Sequence, residues 1–330
     1  MDILTDPKLS LLRTLIPGEI VSLKEARQLA GLTEAQLAES VASLASAYPH
    51  FVTPAAGLQL LGDPDLLDAD RFCAGLSEDL KTRVSRLAFY AVCESTSTEV
   101  TAIGVPESNS LNIALTEYQT GGQGRQGRKW TSGFSEGVCF TVAFRFDPSV
   151  KIQPTLTLAI GVQLATALDE FLTESVLLKW PNDLILGVGK LGGILVELST
   201  LPEGDQLMRV GVGVNCGAPV VDVMSGAVPS LPPAGLKEFA RGSLNRTAVA
   251  STLVAAVVET VDLHRKEGFE SFRSTWQHLD FLRHQAVQVL DGERVRHGVA
   301  KGIDQYGALR VATDEGEISL MSGEVRVRRR

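Results

Sequence analysis

The segment GGQGRQGRKW, residues 121–130, combines glycines and cations in a spacing that could hold a phosphate. Gly122, Gly124 and Gly127 match the pattern GxGxxG, in which glycines close a turn and a dinucleotide-binding helix follows at once. The residues after Gly127 are polar, include another glycine and lack the apolar spacing of a helix. We therefore predict a flexible loop here and no Rossmann helix.

The same loop is positively charged. Arg125, Arg128 and Lys129 follow one another closely along the chain. Guanidinium groups pair with phosphate or carboxylate through parallel N–H donors. The loop is therefore suited to folding over an anion.

A second stretch, KWPNDLILGVGKLGGILVE over residues 179–197, combines a polar turn with a lysine that precedes two glycines. Asn182 and Asp183 belong to the turn, which follows a predicted strand. Glycines after Lys190 leave room for a ligand to approach the backbone. Two shorter stretches place polar residues at strand ends: ESTSTEV carries Ser95 and Thr96, and GVGVNC carries Asn215.

Composition limits the class of protein. A chain of 330 residues, 44% of them hydrophobic, suggests about two or three domains with a substantial core. The net charge of -8 argues against general affinity for nucleic acid, which depends on clustered Lys and Arg. The four cysteines have no CxxC spacing, so neither a zinc site nor a disulfide framework is predicted. No signal peptide and no apolar run of about 18 residues is evident, and a cytoplasmic protein is expected.

Residues 1–64 are predicted to form a winged helix-turn-helix domain. An apolar stripe from Leu9 to Ile16 ends at Pro17-Gly18, which is a helix stop. Two further helices and the small hairpin FVTPAAGLQLL complete the order of elements expected of that fold. The two later helices begin at capping patterns formed by Ser22 with Glu25 and by Thr33 with Gln36.

The rest of the chain is predicted to form two more domains, residues 65–278 and 279–330. Strands and helices alternate from Leu87 onward, with helices over 156–172 and 248–264, which predicts an α+β domain with a mixed, largely antiparallel sheet. Five short strands after about Phe281 predict a small barrel. The basic end, Arg328–Arg330, is predicted to be a solvated tail.

Taken together, these motifs resemble those of a biotin protein ligase. The segments that carry the resemblance are EYQ (117–119), GQGRQGRKW, KWPND, GKLGGILVE, GVGVN and GIDQYGAL (302–309), in the family's order and over nearly the whole chain. With its N-terminal domain, the chain looks like the bacterial subtype that also represses the biotin operon. The resemblance implies a class II synthetase-like catalytic domain and an SH3-like C-terminal barrel.

The resemblance implies a two-step reaction. Biotin and MgATP give biotinyl-5'-AMP and pyrophosphate, and the adenylate then biotinylates a lysine of a biotin carboxyl carrier protein of acetyl-CoA carboxylase. Biotin needs an apolar pocket with a few paired polar groups for its ureido head. The family's biotin-contacting positions correspond here to Ser95, Thr96, Ser97, Gln119, Gln123, Gly124, Arg125 and Lys190.

The resemblance also assigns residues to ATP and the adenylate. Cations must offset the repulsion between the biotin carboxylate and the α-phosphate, and Arg125, Arg128 and Lys190 supply them, with Mg²⁺ carried by ATP and held by no fixed protein ligand. Asp183 is expected to assist loss of the acceptor lysine's proton. The remaining adenylate-binding positions are Gly122, Gly127, Trp130, Asn182 and Asn215.

The sequence departs from the family pattern in two places, and it leaves alternatives open. Gln123 and Gln126 occupy positions where arginine is common, and Ser97 stands where asparagine is common. A lipoate-type ligase on a related fold is an alternative, although KWPND followed by GKLGGILVE favours biotin. A homodimer is a further expectation, with the strand that alternates Val138, Phe140, Val142 and Phe144 as a weaker candidate for the pairing edge.

A repressor that uses the adenylate as corepressor is the second alternative, but the charge of the N-terminal domain opposes it. Residues 28–70 contain no Lys or Arg. Residues 1–70 contain ten acids against four bases, a net charge of -6. Because DNA-binding modules gain most of their affinity by neutralising phosphates, DNA is disfavoured as a partner.

Overall fold

A computed structural model describes residues 1–219, 231–291, 294–321 and 324–327. The chain divides into two compact units. The first unit contains residues 1–148, 196–216 and 245–251, and the second contains 149–195, 217–244 and 252–330. The predicted basic tail at Arg328–Arg330 lies outside the described residues.

The first unit begins with a small α/β module. Its helices are α1 (Pro7–Leu12), α2 (Leu23–Ala30) and α3 (Glu34–Ala47), and its three-stranded sheet has the order β2-β4-β3, with β2 at Ile20–Val21, β3 at Phe51–Val52 and β4 at Leu58–Leu60. Ser22 caps α2 and Thr33 with Gln36 forms a complete capping box, as their spacing predicts. The first helix ends at Leu12, earlier than the apolar stripe predicts, and Ile16 is exposed.

The larger sheet of the first unit is mixed. Its strands β1 (Asp2–Thr5), β5 (Val84–Cys93), β6 (Leu111–Gln119), β7 (Gly137–Phe146) and β11 (Gln206–Asn215) are neighbours in that order. β1, β5 and β6 run parallel, whereas β7 is antiparallel to both of its neighbours. The expectation that β7 offers a pairing edge is wrong, because β7 lies between β6 and β11, and its residues are buried on both faces of the sheet except for the half-buried Arg145.

Short helices accompany this sheet. They are α4 (Ala69–Ala74), α5 (Glu78–Arg83) and α6 (Thr96–Ala102). Val100 and Ile103 at the end of α6 pack on Ala88, Ala114 and Ala143 of the sheet, where small side chains leave room for the helix. This packing fixes the first turn of α6, which carries predicted site residues.

The second unit contains a hairpin and a separate antiparallel sheet. Strands β8 (Leu177–Lys179), β9 (Asp183–Leu186) and the first part of β10 (Gly189–Thr200) pair antiparallel, with α7 (Leu156–Leu168) and α9 (Glu270–Leu279) in the same unit. The five predicted C-terminal strands form one sheet of order β15-β14-β13-β12-β16. They are β12 (Ala286–Asp291), β13 (Arg294–Ile303), β14 (Leu309–Thr313), β15 (Gly316–Leu320) and β16 (Glu324–Val327).

Helix α8 (Arg246–Glu267) starts in the first unit and continues in the second. Its length and composition would allow it to cross a membrane, so the expectation that no segment reaches that length is not met. However, 67% of its apolar window is buried inside the protein. That burial is typical of a core helix.

Candidate functional site

The polar residues at the start of α6 form one hydrogen-bonded cluster with the end of β6. Ser95 is the N-cap of α6, and its hydroxyl accepts a bond from the Ser97 backbone N–H at 3.2 Å. The Thr96 backbone N–H donates to Gln119 Oε1 at 2.9 Å. The Thr96 hydroxyl shares a bond of 2.8 Å with the Thr141 hydroxyl. The structure therefore brings together the predicted residues Ser95, Thr96 and Gln119.

The Ser97 hydroxyl bonds to a residue outside this cluster. Its hydroxyl donates to Glu197 Oε2 at 2.6 Å, and the guanidinium of Arg209 lies 3.9 Å from the same carboxylate oxygen. Glu197 is the last residue of the GKLGGILVE motif. Ser97 thus ties the first turn of α6 to β10, a contact that the sequence did not predict.

The glycine-rich loop closes on itself through backbone hydrogen bonds. Its backbone closes through the Gly124 N–H bonded to the Arg128 carbonyl at 2.7 Å and the Trp130 N–H bonded to the Gly122 carbonyl at 2.8 Å. A single 3-10 turn spans Arg125–Gly127, with Gln126 at a positive φ of 58°. No α-helix follows, so the prediction that this segment does not open a Rossmann unit is confirmed. Arg128 and Lys129 are exposed and Arg125 is half-buried.

The loop begins directly against the polar cluster. A Cβ atom at Gly122 would lie 2.9 Å from Gln119 Nε2 and 2.7 Å from the Trp130 carbonyl oxygen. Any side chain at Gly122 would therefore push the loop away from Gln119. The cationic loop therefore begins directly beside Gln119, one of the residues predicted to bind the ureido head.

Trp130 fixes the far end of the loop. A Cβ atom at Gly213 would lie 2.5 Å from the Trp130 ring, so the indole rests on the bare backbone of β11. Gly213 belongs to the GVGVN motif, and Asn215 is buried at the end of the same strand. The packing of Trp130 explains why position 213 of this motif is a glycine.

Glu117 of the EYQ motif belongs to a buried ion pair that sequence reasoning missed. Its carboxylate accepts from the Leu67 N–H at 2.7 Å and forms a close salt bridge with Arg246, the first residue of α8. Arg246 also donates to the Gly137 carbonyl at 2.9 Å. Burial raises the pKa of Glu117, and the guanidinium opposes that shift. The signal that could have found the pair is a single arginine at the start of a helix whose next charged residue is Glu259.

In the second unit, Asp183 lies between two lysines. Its Oδ1 is 2.6 Å from Lys190 Nζ and its Oδ2 is 3.6 Å from Lys179 Nζ. Lys179 is buried, whereas the Lys190 side chain is 38% exposed. Lys190 is therefore held in place and is no freely solvated surface lysine, although enough of it is exposed to meet a ligand.

The turn before Asp183 is fixed by backbone and indole contacts. The Trp180-Pro181 peptide bond is cis, and the Asn182 amide donates to the Ile194 carbonyl at 2.8 Å. Trp180 is buried, and its Nε1–H donates to the Gly307 carbonyl at 3.0 Å. Gly307 belongs to the GIDQYGAL motif, which explains why that motif accompanies KWPND along the chain.

Comparison with known proteins agrees with these features. Residues 89–215 match the Biotin/lipoate A/B protein ligase family, and residues 285–328 match the biotin protein ligase C terminal domain. The bifunctional ligase/repressor BirA of Salmonella typhimurium is 30% identical over 97% of this chain and 99% of that protein.

The chain belongs to the biotin protein ligase family.

Other relatives of this biotin protein ligase support the same assignment. The biotin--[acetyl-CoA-carboxylase] ligase of Paracoccus denitrificans is 28% identical over 70% of this chain and 96% of that protein. The biotin protein ligase of Aquifex aeolicus, solved with biotin and ATP, has a TM-score of 0.60 and 25% identity over 74% of this chain and all of that chain. The protein is thus an ATP-dependent ligase that attaches biotin.

Within this biotin protein ligase, the predicted residues fall into two groups. The first unit holds the loop glycines with Ser95, Thr96, Ser97, Gln119, Gln123, Arg125, Arg128, Trp130 and Asn215, and the second holds Asn182, Asp183 and Lys190. The contacts that the sequence missed are those of Thr141, Glu197, Lys179 and Arg246. Among the described residues, no cluster of three or more His, Cys, Asp or Glu could hold a metal ion.

Proposed function

We propose that the protein activates biotin with MgATP to biotinyl-5'-AMP and transfers the biotinyl group to a lysine of a biotin carboxyl carrier protein. The observation that carries this proposal is the contact at Gly122, where the cationic loop starts against the polar cluster of Thr96 and Gln119. The polar cluster thereby offers hydrogen-bond donors and acceptors to a neutral polar group of the ligand. The next segment along the chain offers guanidinium groups to an anion.

The polar cluster is suited to the ureido head of biotin. Ser95, Thr96, Ser97 and Gln119 provide hydroxyl and amide groups that both donate and accept, which the ureido carbonyl and its two N–H groups require. The loop residues Gln123 and Gly124 complete the biotin-binding set. Each net hydrogen bond contributes about 0.5–1.5 kcal/mol, and a ligand that leaves these groups unpaired is rejected more strongly.

Adenylation brings the biotin carboxylate to the α-phosphorus of ATP, where a C–O–P bond forms as the bond to pyrophosphate breaks. Arg125, Arg128 and Lys190 offset the negative charge that gathers at this phosphate. Mg²⁺ would be held by the ATP phosphates, which supply the oxygen ligands that it prefers, and would offset part of their charge. Gly122, Gly127, Trp130, Asn182 and Asn215 complete the adenylate-binding set.

The transfer step requires a neutral acceptor amine. The lysine nitrogen attacks the acyl carbon of biotinyl-5'-AMP, an amide bond forms and AMP leaves. A free lysine has a pKa of about 10.4, so a group that takes its proton accelerates the step. We assign this role to Asp183, whose carboxylate forms salt bridges with Lys179 and Lys190.

Asp183→Asn tests this assignment. With biotinyl-5'-AMP supplied, the variant is expected to biotinylate the carrier at least about tenfold more slowly than wild type, because the amide cannot accept the proton. Single-turnover transfer followed by mass spectrometry measures the rate. Unchanged transfer by the variant would remove Asp183 from this step.

The overall reaction is tested with purified protein, a biotin carrier domain, MgATP and biotin. Mass spectrometry is expected to detect the added biotinyl group on a single carrier lysine. Pyrophosphate release with biotin and with lipoate separates the two ligase types, since the lipoate alternative predicts the reverse preference. Absence of biotin-dependent pyrophosphate release would contradict the proposal.

We further propose the domain organisation of residues 1–64, 65–278 and 279–330, with a winged helix-turn-helix, a class II synthetase-like catalytic domain and an SH3-like barrel. The three helices with the β2-β4-β3 sheet, and the five-stranded C-terminal sheet, support these assignments. A cytoplasmic location and a homodimer complete the proposal. Light scattering with and without biotin and ATP tests the oligomeric state.

A repressor role is the second candidate, because BirA, the relative that matches 97% of this chain, is named a bifunctional ligase/repressor. The surface charge opposes the role here. Arg27, at the end of α2, lies 3.6 Å from the Glu34 carboxylate at the start of α3, so its charge is offset. Anisotropy titration with the cognate biotin-operon region, at low salt with biotin and ATP, is expected to show no submicromolar sequence-specific binding; such binding would establish the repressor.

A further inference from the structure

Lys190 is held through its backbone by a segment distant in sequence. The Lys190 N–H donates to the Pro232 carbonyl at 2.7 Å, and the Ala234 N–H donates to the Lys190 carbonyl at 2.9 Å. Both bonds join Lys190 to residues 232–234, which we name the proline segment. On the other side, Lys190 is opposite Ile185 in the β9–β10 hairpin.

Gly189 allows the proline segment to come this close. A Cβ atom at Gly189 would lie 2.9 Å from Ala234 Cβ, 3.0 Å from the Pro232 carbonyl oxygen and 3.1 Å from the Pro233 carbonyl carbon. Two of these three atoms belong to the backbone and cannot rotate away. Any side chain at Gly189 would therefore displace the segment that bonds Lys190.

The backbone position of Lys190 decides where its ammonium group lies. The ladder between β9 and β10 shifts register between Lys190 and Gly192, so regular pairing with β9 alone does not fix the residue. The Lys190 Nζ nevertheless lies 2.6 Å from Asp183 Oδ1. This salt bridge starts from a backbone position that both the hairpin and the proline segment contact.

We propose that Gly189 and the proline segment are positioning elements that hold Lys190 for the adenylation step. The proposal rests on the role of Lys190 given under the proposed function. A charged group that stabilises a transition state must be placed within a fraction of an ångström before the reaction starts. The two backbone bonds at Lys190 supply that placement without touching the substrates.

The experiment measures biotin-dependent pyrophosphate release by Gly189→Ala. The kcat is expected to fall about tenfold while the KM values for biotin and ATP stay within about twofold, because a misplaced Lys190 loses transition-state contacts and few ground-state contacts. Ala234→Gly in the Gly189→Ala background removes the nearest Cβ atom, so the double variant is expected to recover at least about threefold in kcat.

Two further variants make the result independent of the folding of Gly189→Ala. Ala234→Pro deletes the N–H that donates to Lys190 and is expected to lower kcat with the same KM pattern. Val188→Ala, at a side chain 77% exposed beside Gly189, changes the hairpin without touching the proline segment and is expected to retain wild-type kinetics. Thermal unfolding of every variant measures stability separately.

Lys190→Ala separates this inference from the proposed function. If Lys190→Ala keeps the wild-type rate of pyrophosphate release, the role of Lys190 itself fails. If Lys190→Ala is inactive while Gly189→Ala and Ala234→Pro keep the wild-type kcat, only the positioning role fails. A double variant with no recovery over Gly189→Ala also overturns the positioning role.

Discussion

At the scale of single residues, the protein buries several ionisable side chains, and their hydrogen-bond partners differ. Glu117 and Arg246 satisfy each other, whereas Asp280, just after α9, has one buried carboxylate oxygen with no hydrogen-bond partner among the described residues. The other oxygen accepts from the Leu282 N–H at 2.9 Å. Burial raises the pKa of Asp280 to about 6, with the Leu282 bond and Arg283 opposing the shift.

This shift predicts a pH dependence of stability. The folded-state pKa is raised above the unfolded value of about 3.9, so the folded protein binds the proton more tightly. The stability from Asp280 is present in full below about pH 4 and is lost as the pH rises through about 6. Asp280→Asn keeps the acceptor for Leu282 and is expected to remove this loss, about 3 kcal/mol at most.

Urea denaturation of wild type and Asp280→Asn between pH 4 and 7 measures the difference in the free energy of unfolding. The exposed Asp314→Asn serves as the matched control and is expected to follow wild type. A wild-type minus Asp280→Asn difference that is flat across this range would contradict the prediction.

At the scale of elements, glycines decide where a loop or segment meets a strand. Gly122 brings the cationic loop to Gln119, Gly213 seats Trp130 on β11, and Gly307 lies where a Cβ atom would come 2.8 Å from Thr155. The contact at Gly122 is local in sequence, whereas those of Gly213 and Gly307 join residues far apart in the chain. The glycines of the family motifs are therefore packing positions as much as sites of ligand approach.

Gly213→Ala is expected to displace Trp130 and the end of the loop. The added methyl group would lie 2.5 Å from the indole, and overpacking of this kind costs about 1–3 kcal/mol. Since the loop carries the predicted phosphate contacts, the KM for ATP is expected to rise at least about fivefold. Steady-state pyrophosphate release measures it, and the change in tryptophan fluorescence, to which Trp180 and Trp276 also contribute, is the second readout.

Gly62→Ala is the control for this experiment, because no atom lies within 4 Å of the added Cβ. It is expected to match wild type in both readouts. An unchanged KM for ATP and unchanged fluorescence in Gly213→Ala would show that the packing of Trp130 on Gly213 does not determine the position of the loop.

At the scale of the whole molecule, the N-terminal module is joined to the sheet of the first unit by more than a linker. Strand β1 pairs with β5 in parallel, and the buried Asp6 side chain accepts from the Ala91 N–H at 3.1 Å while capping α1. Tyr48, which ends α3, stacks on Phe134 with ring centroids 4.3 Å apart. These contacts make the module part of the first unit.

Asp6→Ala is expected to lower the free energy of unfolding by about 1–3 kcal/mol, because the helix cap is lost and the buried Ala91 N–H loses its acceptor. Chemical denaturation measures the change. Asp2→Ala, at an exposed position on β1, should stay within about 0.5 kcal/mol of wild type. Equal stability of Asp6→Ala and wild type would mean that Asp6 does not anchor the module.

Short-range patterns in the sequence predict the chemistry of the motif residues and much of the local structure. Capping residues and strand alternation act over a few neighbours, so the capped starts of α2 and α3, strand β7 and five C-terminal strands are predicted from short stretches of sequence. The motif residues also carry their chemistry with them, because cationic side chains and polar strand ends suit a phosphate and a ureido group wherever they lie.

Which of these residues contact one another depends on how distant elements pack. Four contacts join positions far apart in the chain. They are the salt bridge of Glu117 with Arg246, the packing of Trp130 on Gly213, the pairing of β1 with β5, and the bonds of the proline segment to Lys190. Such contacts depend on the register of strands and on space left by missing side chains. No local pattern encodes either, since both arise only when distant elements pack together.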